Sequence, residues 1–143
     1  MHHYRQTSRL RLMAKILLDT QCWLWMLAAP ERLSDSSREL VGDRNNELYL
    51  SAASAWEIAI KHGLGKLELP GPPADVVPVL MTKTDVRALP VQVSHALQVA
   101  KLPPYHRDPF DRLLVAQAQL ENMPILTGDT QLAQYEVEVL AAE

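Results

Sequence analysis

The chain has 143 residues, of which 48% are hydrophobic and 22% charged, and its formal net charge is −3. That is one domain's worth of chain with enough apolar residues for a real core, which excludes a chain disordered by composition, and its short, interrupted apolar runs exclude a bilayer-spanning helix. A single cysteine, Cys22, excludes an internal disulfide framework and a cysteine-based zinc site, and the negative balance does not suit a passive, sequence-independent binder of nucleic acid.

Residues 1–12 are polar and basic, with Arg5, Arg9 and Arg11 and no acid. They read as a disordered extension, and Met13-Ala14-Lys15-Ile16 reads as a natural start. Without those three arginines the rest of the chain carries −6, against −3 for the whole. No secretory pattern is present, because Leu10 to Leu18 is interrupted by Arg11 and Lys15. With one cysteine, this makes a cytoplasmic location the expectation.

Lys15 to Leu18 predicts a buried parallel strand. Asp19 then stands at its carboxyl end, where open α/β sheets place their ligands, and it equally suits the N-cap of a helix over Gln21 to Leu27. Trp23, Leu24 and Leu27 fit the core face of that helix; Trp25 is expected to be partly exposed, and these tryptophans read as packing. Ser34 caps a second helix, Asp35 to Val41, closed by Gly42. Leu48-Tyr49-Leu50 predicts the second strand.

Ser51 to His62 predicts a third helix with Gly63 as its left-handed terminator. Glu57 on this helix has two purely structural readings: an S-x-x-E capping pattern with Ser54, and an i, i+4 ion pair with Lys61. Like Asp19, however, it follows the carboxyl end of a strand. Leu64 to Leu69 predicts a turn or small hairpin, and residues 74–83 a helix that Pro78 kinks or delays. Val86 to Leu89 is a third strand. Ser94 is expected to cap a helix from His95 to Ala100, with His95 a surface or packing residue.

The loop Leu102 to Arg107 leads into Asp108-Pro109-Phe110-Asp111-Arg112. Asp108 suits an N-cap and Pro109 the first helical position. Asp111, three residues on, brings a second carboxylate to the same helix end. Leu113, Leu114 and Ala118 turn one side of this helix toward a sheet, and the helix is expected to reach about Asn122. Pro124 to Thr127 predicts a fourth strand, followed by Gly128-Asp129-Thr130. A short helix over 130–135 and an edge strand over Val137 to Leu140 complete the chain.

Alternation of strand and helix predicts an α/β fold, a single domain with a doubly wound parallel sheet of four to five strands flanked by helices. Asp19, Glu57 and Asp129 then follow strand carboxyl ends, and Asp108 and Asp111 start the helix that feeds the fourth strand. All face one edge of the sheet. Carboxylates gathered in one pocket raise one another's pKa unless a positive charge offsets them. A hard divalent cation, Mg²⁺ or Mn²⁺, is the usual compensation. Such an ion acidifies water and neutralises charge on phosphate, which is the chemistry of phosphodiester hydrolysis. Gly128-Asp129 and Gly63-x-Gly65 are too weak to count as competing motifs.

Four segments, in order, carry a family resemblance: Ile16-Leu17-Leu18-Asp19-Thr20, Ser54-Ala55-Trp56-Glu57-Ile58, Asp108-Pro109-Phe110-Asp111-Arg112-Leu113-Leu114-Val115-Ala116-Gln117-Ala118, and Leu126-Thr127-Gly128-Asp129. The chain resembles PIN domains, and closely the VapC-type toxins of bacterial toxin–antitoxin pairs, with residues 13–143 as the PIN domain. The resemblance implies a metal-dependent endoribonuclease using Mg²⁺ or Mn²⁺. Asp19, Glu57 and Asp111 match the three most regular acidic positions, and Asp129 the more variable fourth. Asp108 is the extra acid of the Asp-Pro-Phe-Asp subgroup, with a supporting role in capping or in holding a water. Thr20 and Thr127 match small hydroxyl positions near the site. Arg112 could pair with an acid or contact phosphate, or form a surface ion pair. The family further implies an RNA substrate, a cognate VapB-like antitoxin laying a basic or aromatic segment across the acidic cleft, and a homodimer. The helices around Trp23 to Leu27 and Ala74 to Met81 are the candidate dimer faces.

Two other classes compete. A PIN-fold binding module without catalysis would keep the acids only to hold a partner. A phosphotransfer protein of receiver or phosphatase type is also acid-lined, but the phosphatase pattern needs an Asp where Gln21 stands, and Glu57 within a helix suits neither type.

Overall fold

The structure, a computed structural model, describes residues 14–143. The expected disorder of residues 1–12 lies outside them. The elements are β1 (Lys15–Leu18), α1 (Thr20–Ala28), α2 (Asp35–Gly42), β2 (Glu47–Ser51), α3 (Ala52–Gly63), α4 (Pro73–Lys83), β3 (Val86–Leu89), α5 (Val93–Gln98), α6 (Pro109–Glu121), β4 (Ile125–Thr127) and β5 (Val139–Ala141). Short 3₁₀ turns occupy Pro30–Arg32, Val99–Lys101 and Thr130–Gln134.

The strands pair in the order β3-β2-β1-β4-β5, all parallel. Winding runs from β1 outward to β2 and β3, then returns to place β4 on the other side of β1. The strand order therefore reverses between β1 and β4, the position at which a wound sheet opens a crevice beyond its carboxyl ends.

Ile16, Leu17 and Leu18 are all fully buried, as expected of a strand covered on both faces. Ile16 and Leu18 face one core with Leu50, Leu126, Trp23 of α1, Ile58 of α3 and Val77 of α4. Leu17 faces the other with Ile125 and with Leu114, Val115 and Ala118 of α6. Helices thus cover both sides of the sheet, and the doubly wound architecture expected of the sequence is present. No helix among the described residues is long and apolar enough to cross a membrane.

Several local expectations are corrected. Ser51, not Ser54, caps α3: its hydroxyl accepts from the Ala53 N–H at 3.0 Å. The left-handed residue after α3 is Gly65, at φ 72°, because the helix continues through Gly63. Helix α5 starts at Val93 after Gln92, not at His95 after Ser94. There the His95 Nδ1 accepts from the Gln92 N–H at 3.0 Å, which pins the first turn and buries the ring. Pro78 lies inside α4 rather than delaying it. The carbonyl it leaves without a helical donor is that of Ala74, and both residues are exposed, so water can serve. Strand β5 begins at Val139 instead of Val137, since the Val137 N–H is engaged in a turn with the Tyr135 carbonyl at 2.8 Å.

Candidate metal centre

Asp19 is the first residue beyond β1, with extended backbone (φ −75°, ψ 164°) that suits it to cap α1. Its Oδ1 accepts from the Cys22 N–H at 2.7 Å, and its Oδ2 from the Thr127 hydroxyl at the end of β4. Burial pushes its carboxyl above the usual range, and these hydrogen bonds oppose the shift. Burial also lifts the Cys22 thiol well above its ordinary range, which removes it as a nucleophile.

Glu57 projects from the second turn of α3 and is buried. Thr20 Oγ1 lies 2.7 Å from its Oε1 and 2.8 Å from Ser54 Oγ. Because Ser51 caps the helix, Ser54 is free for this contact. The other Glu57 oxygen pairs with Lys61 Nζ at 2.8 Å, and that carboxylate holds the ammonium above its usual range. The ion pair expected from the i, i+4 spacing is therefore present on a helix face that also carries Glu57 into the crevice.

Asp108 caps α6, with its Oδ1 accepting from the N–H groups of Phe110 at 2.8 Å and Asp111 at 3.5 Å. Asp111 follows in the first turn. Burial, then the neighbouring Asp108 charge, with smaller contributions from Asp19 and Glu57, pushes its carboxyl up to about 7; His106 opposes them. Asp129 caps the 3₁₀ turn after β4, its Oδ1 accepting from the Gln131 N–H at 2.9 Å. Its own N–H donates to Thr127 Oγ1 at 3.0 Å, so Thr127 joins Asp19 to Asp129.

The four acids singled out in the sequence, with Asp108, Thr20 and Thr127, are thus brought to one place. Arg112 is not. Its guanidinium donates to the carbonyls of Pro103 at 3.0 Å, Val99 at 3.2 Å, Leu102 at 3.3 Å and His106 at 3.4 Å, and to Tyr135 Oη at 3.3 Å. It straps the loop before α6 and pairs with no acid among the described residues.

His106 was missed. Its Nε2 lies 2.8 Å from Asp129 Oδ2 and 3.4 Å from Asp111 Oδ2. Among the described residues, His106, Asp111 and Asp129 each offer a ligand atom within 4.8 Å of one another. The available sequence signal was its place two residues before an N-cap Asp, where a ring nitrogen can accept the cap's N–H. Glu143, also missed, lines the same cleft.

The cleft has a volume of about 290 Å³. Asp19, Glu57, Asp108, Asp111, Asp129 and Glu143 contribute carboxylates to its wall, and Lys61 is the only cationic side chain among the described lining residues. Gly128 keeps it open: a Cβ there would stand 3.1 Å from Glu143 Oε1 and 3.3 Å from the Trp25 ring. A larger groove, about 530 Å³, lies at the amino end of β4, but Glu136 and Glu138 are its only ionisable lining residues among the described ones. The donor set of the smaller cleft is oxygen-rich and under-compensated, which suits a hard divalent cation.

The sequence model of the PIN-domain family matches residues 16–138. Ribonuclease VapC16 of Mycobacterium tuberculosis is 46% identical over 61 residues, a match that spans 43% of this chain and 43% of that protein's length. Among solved structures, VapBC2 from Rickettsia felis, bound to a DNA fragment from its promoter, contains a chain that superposes with a TM-score of 0.69 at 12% identity, over 90% of this chain and 99% of that one. FitAcB from Neisseria gonorrhoeae gives a TM-score of 0.61 at 24% identity, over 87% and 96%. At these identities the structural likeness speaks for the fold.

Proposed function

This chain belongs to the PIN-domain family, and from that premise we propose that it is a divalent-metal-dependent endoribonuclease, the toxin of a type II toxin–antitoxin pair. The observation that carries the reading is the convergence of Asp19, Glu57, Asp111 and Asp129 on the crevice between β1 and β4. The matched stretch of a mycobacterial ribonuclease supports it.

In this reading Asp19, Glu57 and Asp111 hold Mg²⁺ or Mn²⁺, and Asp129 completes the set. When bound, the cation lowers the pKa of water and neutralises charge on a phosphate. The chain's own groups prepare that place. Thr127 and the Cys22 N–H orient the Asp19 carboxylate, and Thr20 orients Glu57. Asp108 fixes the start of α6 and so the position of Asp111. Lys61, paired with Glu57, supplies the ammonium on the cleft wall. Arg112 acts on the loop rather than on RNA.

By analogy with the VapBC2 complex from Rickettsia felis, we infer a VapB-like antitoxin partner. An acidic cleft suits a basic segment of such a partner by charge complementarity. A homodimer and a cytoplasmic location complete the reading.

The test is cleavage of single-stranded RNA by the purified chain in Mg²⁺ or Mn²⁺. EDTA is expected to abolish cleavage, and Asp19→Asn to reduce it by at least about 100-fold, because several kcal/mol of charge stabilisation is lost. Undiminished cleavage in EDTA, or full activity of Asp19→Asn, would overturn the reading.

A further inference from the structure

His106 is fixed at every polar atom it has. Its N–H donates to Tyr135 Oη at 2.9 Å, and its carbonyl accepts from Arg112 at 3.4 Å. Its Nδ1 accepts from the Asp108 N–H at 3.0 Å, and its Nε2 faces Asp129 at 2.8 Å. The imidazole is largely buried, with its side chain 14% exposed.

These contacts determine the tautomer. A backbone N–H can only donate, so Nδ1 must present its lone pair to Asp108. The ring proton of the neutral imidazole is then on Nε2, aimed at Asp129 and, less closely, at Asp111. A nitrogen that carries a proton has no lone pair for a metal. For Nε2 to become a ligand the proton would have to move to Nδ1, where it would confront the Asp108 N–H, donor against donor. The distances alone would admit His106 as a third ligand beside Asp111 and Asp129; the hydrogen bond at Nδ1 opposes that.

We propose that His106 is a positioning residue of the candidate metal centre: its Nε2–H holds the Asp129 carboxylate toward Asp111, and it does not itself bind the cation. This deepens the function proposed above and rests on that reading. The same histidine links two chain segments. Through Nδ1 it engages the cap of α6, which presents Asp111, and through Nε2 it engages the residue after β4. A single ring therefore sets the relation between two acids that are distant in sequence. Outer-shell partners of this kind are worth 10- to 100-fold in metal affinity.

Two substitutions separate the ring's two ends. In His106→Asn the amide oxygen stands near the former Nδ1 and can accept the Asp108 N–H, but nothing reaches Asp129. In His106→Gln the amide nitrogen stands near the former Nε2 and can still donate to Asp129. Calorimetric titration with Mn²⁺ is expected to show His106→Asn weakened about 10- to 100-fold, with His106→Gln close to the parent. Independently, ¹⁵N spectra of the unsubstituted, cation-free chain are expected to place the His106 proton on Nε2, and to keep it there when Mg²⁺ is added. Equal affinity of His106→Asn and the parent would overturn the proposal. So would a His106→Gln as weak as His106→Asn, a proton on Nδ1, or loss of the Nε2 proton on metal addition, which would make His106 a ligand. A parent chain that takes up no Mn²⁺ would instead remove the proposed function, and this inference with it.

Discussion

Asp111 is partly buried beside the Asp108 carboxylate, and its behaviour is predictable from that. Its carboxyl is pushed up to about 7 in the fold from an ordinary 3.8, so between those values the native state holds the extra proton. The contribution of Asp111 to the stability of the cation-free protein is therefore fullest at the acid end, falls as pH rises from about 4 to about 7, and stays low above that. In EDTA, Asp111→Asn is expected to raise the melting temperature at pH 8 and to change it little at pH 4. Cation binding must displace the same proton. Mn²⁺ affinity is expected to rise up to about tenfold per pH unit below pH 7 and to level off above it, and a pH-independent affinity would contradict this assignment. At this scale the acids were legible because each follows a strand end or starts a helix. Their place at a shared site was not separable from capping: Asp19, Asp108 and Asp129 each cap a helix or turn and also line the cleft. His106 escaped notice because its one local signal, a ring two residues before an N-cap Asp, says nothing of its contacts with Asp111 and Asp129. Arg112 misled because a cation beside an acid suggests an ion pair, while its actual partners are carbonyl oxygens.

Between residue and fold lies the strap that holds residues 99–106 against α6. Arg112 reaches four carbonyls and Tyr135 Oη from one planar guanidinium, a geometry that an ammonium cannot reproduce. Arg112→Met is expected to destabilise the protein by about 1.5–3 kcal/mol, the usual worth of hydrogen bonds to a charged group. It is also expected to lower RNA cleavage by freeing the loop that carries His106. Arg112→Lys should recover only part of both, as measured by denaturant unfolding and by cleavage rate. Equal stability of Arg112→Met and the parent would show that the strap contributes nothing. Most element positions were legible from hydrophobic runs and turn residues. The ends were less so, because capping depends on which side chain reaches a free N–H in three dimensions. Ser94 and Ser54 have suitable chemistry, yet His95 with Gln92 and Ser51 make the contacts. The apolar side chains of Trp56 and Ile60 on α3, and of Leu64 just after it, are exposed, whereas Trp23 of the helix expected to offer a dimer face is buried.

The molecule as a whole explains why scattered acids meet. A sheet wound outward from β1 to β2 and β3, then back to β4, brings Asp19 and Thr127 into contact although 108 residues separate them. Alternating strands and helices made the winding legible, and with it the shared edge. The strand order was not legible, because the pairing of β1 with β4 is decided by packing between residues far apart in sequence. The same winding places the negative wall at the reversal of strand order, while the larger groove at the opposite end of β4 gathers no such cluster. The most direct measurement of the central claim is anomalous diffraction from crystals grown or soaked in Mn²⁺. The account predicts a peak within the crevice, bounded by Asp19, Glu57 and Asp111, that disappears in Asp19→Asn. A well-ordered cleft without a peak, or a peak bound elsewhere on the molecule and indifferent to Asp19→Asn, would contradict it.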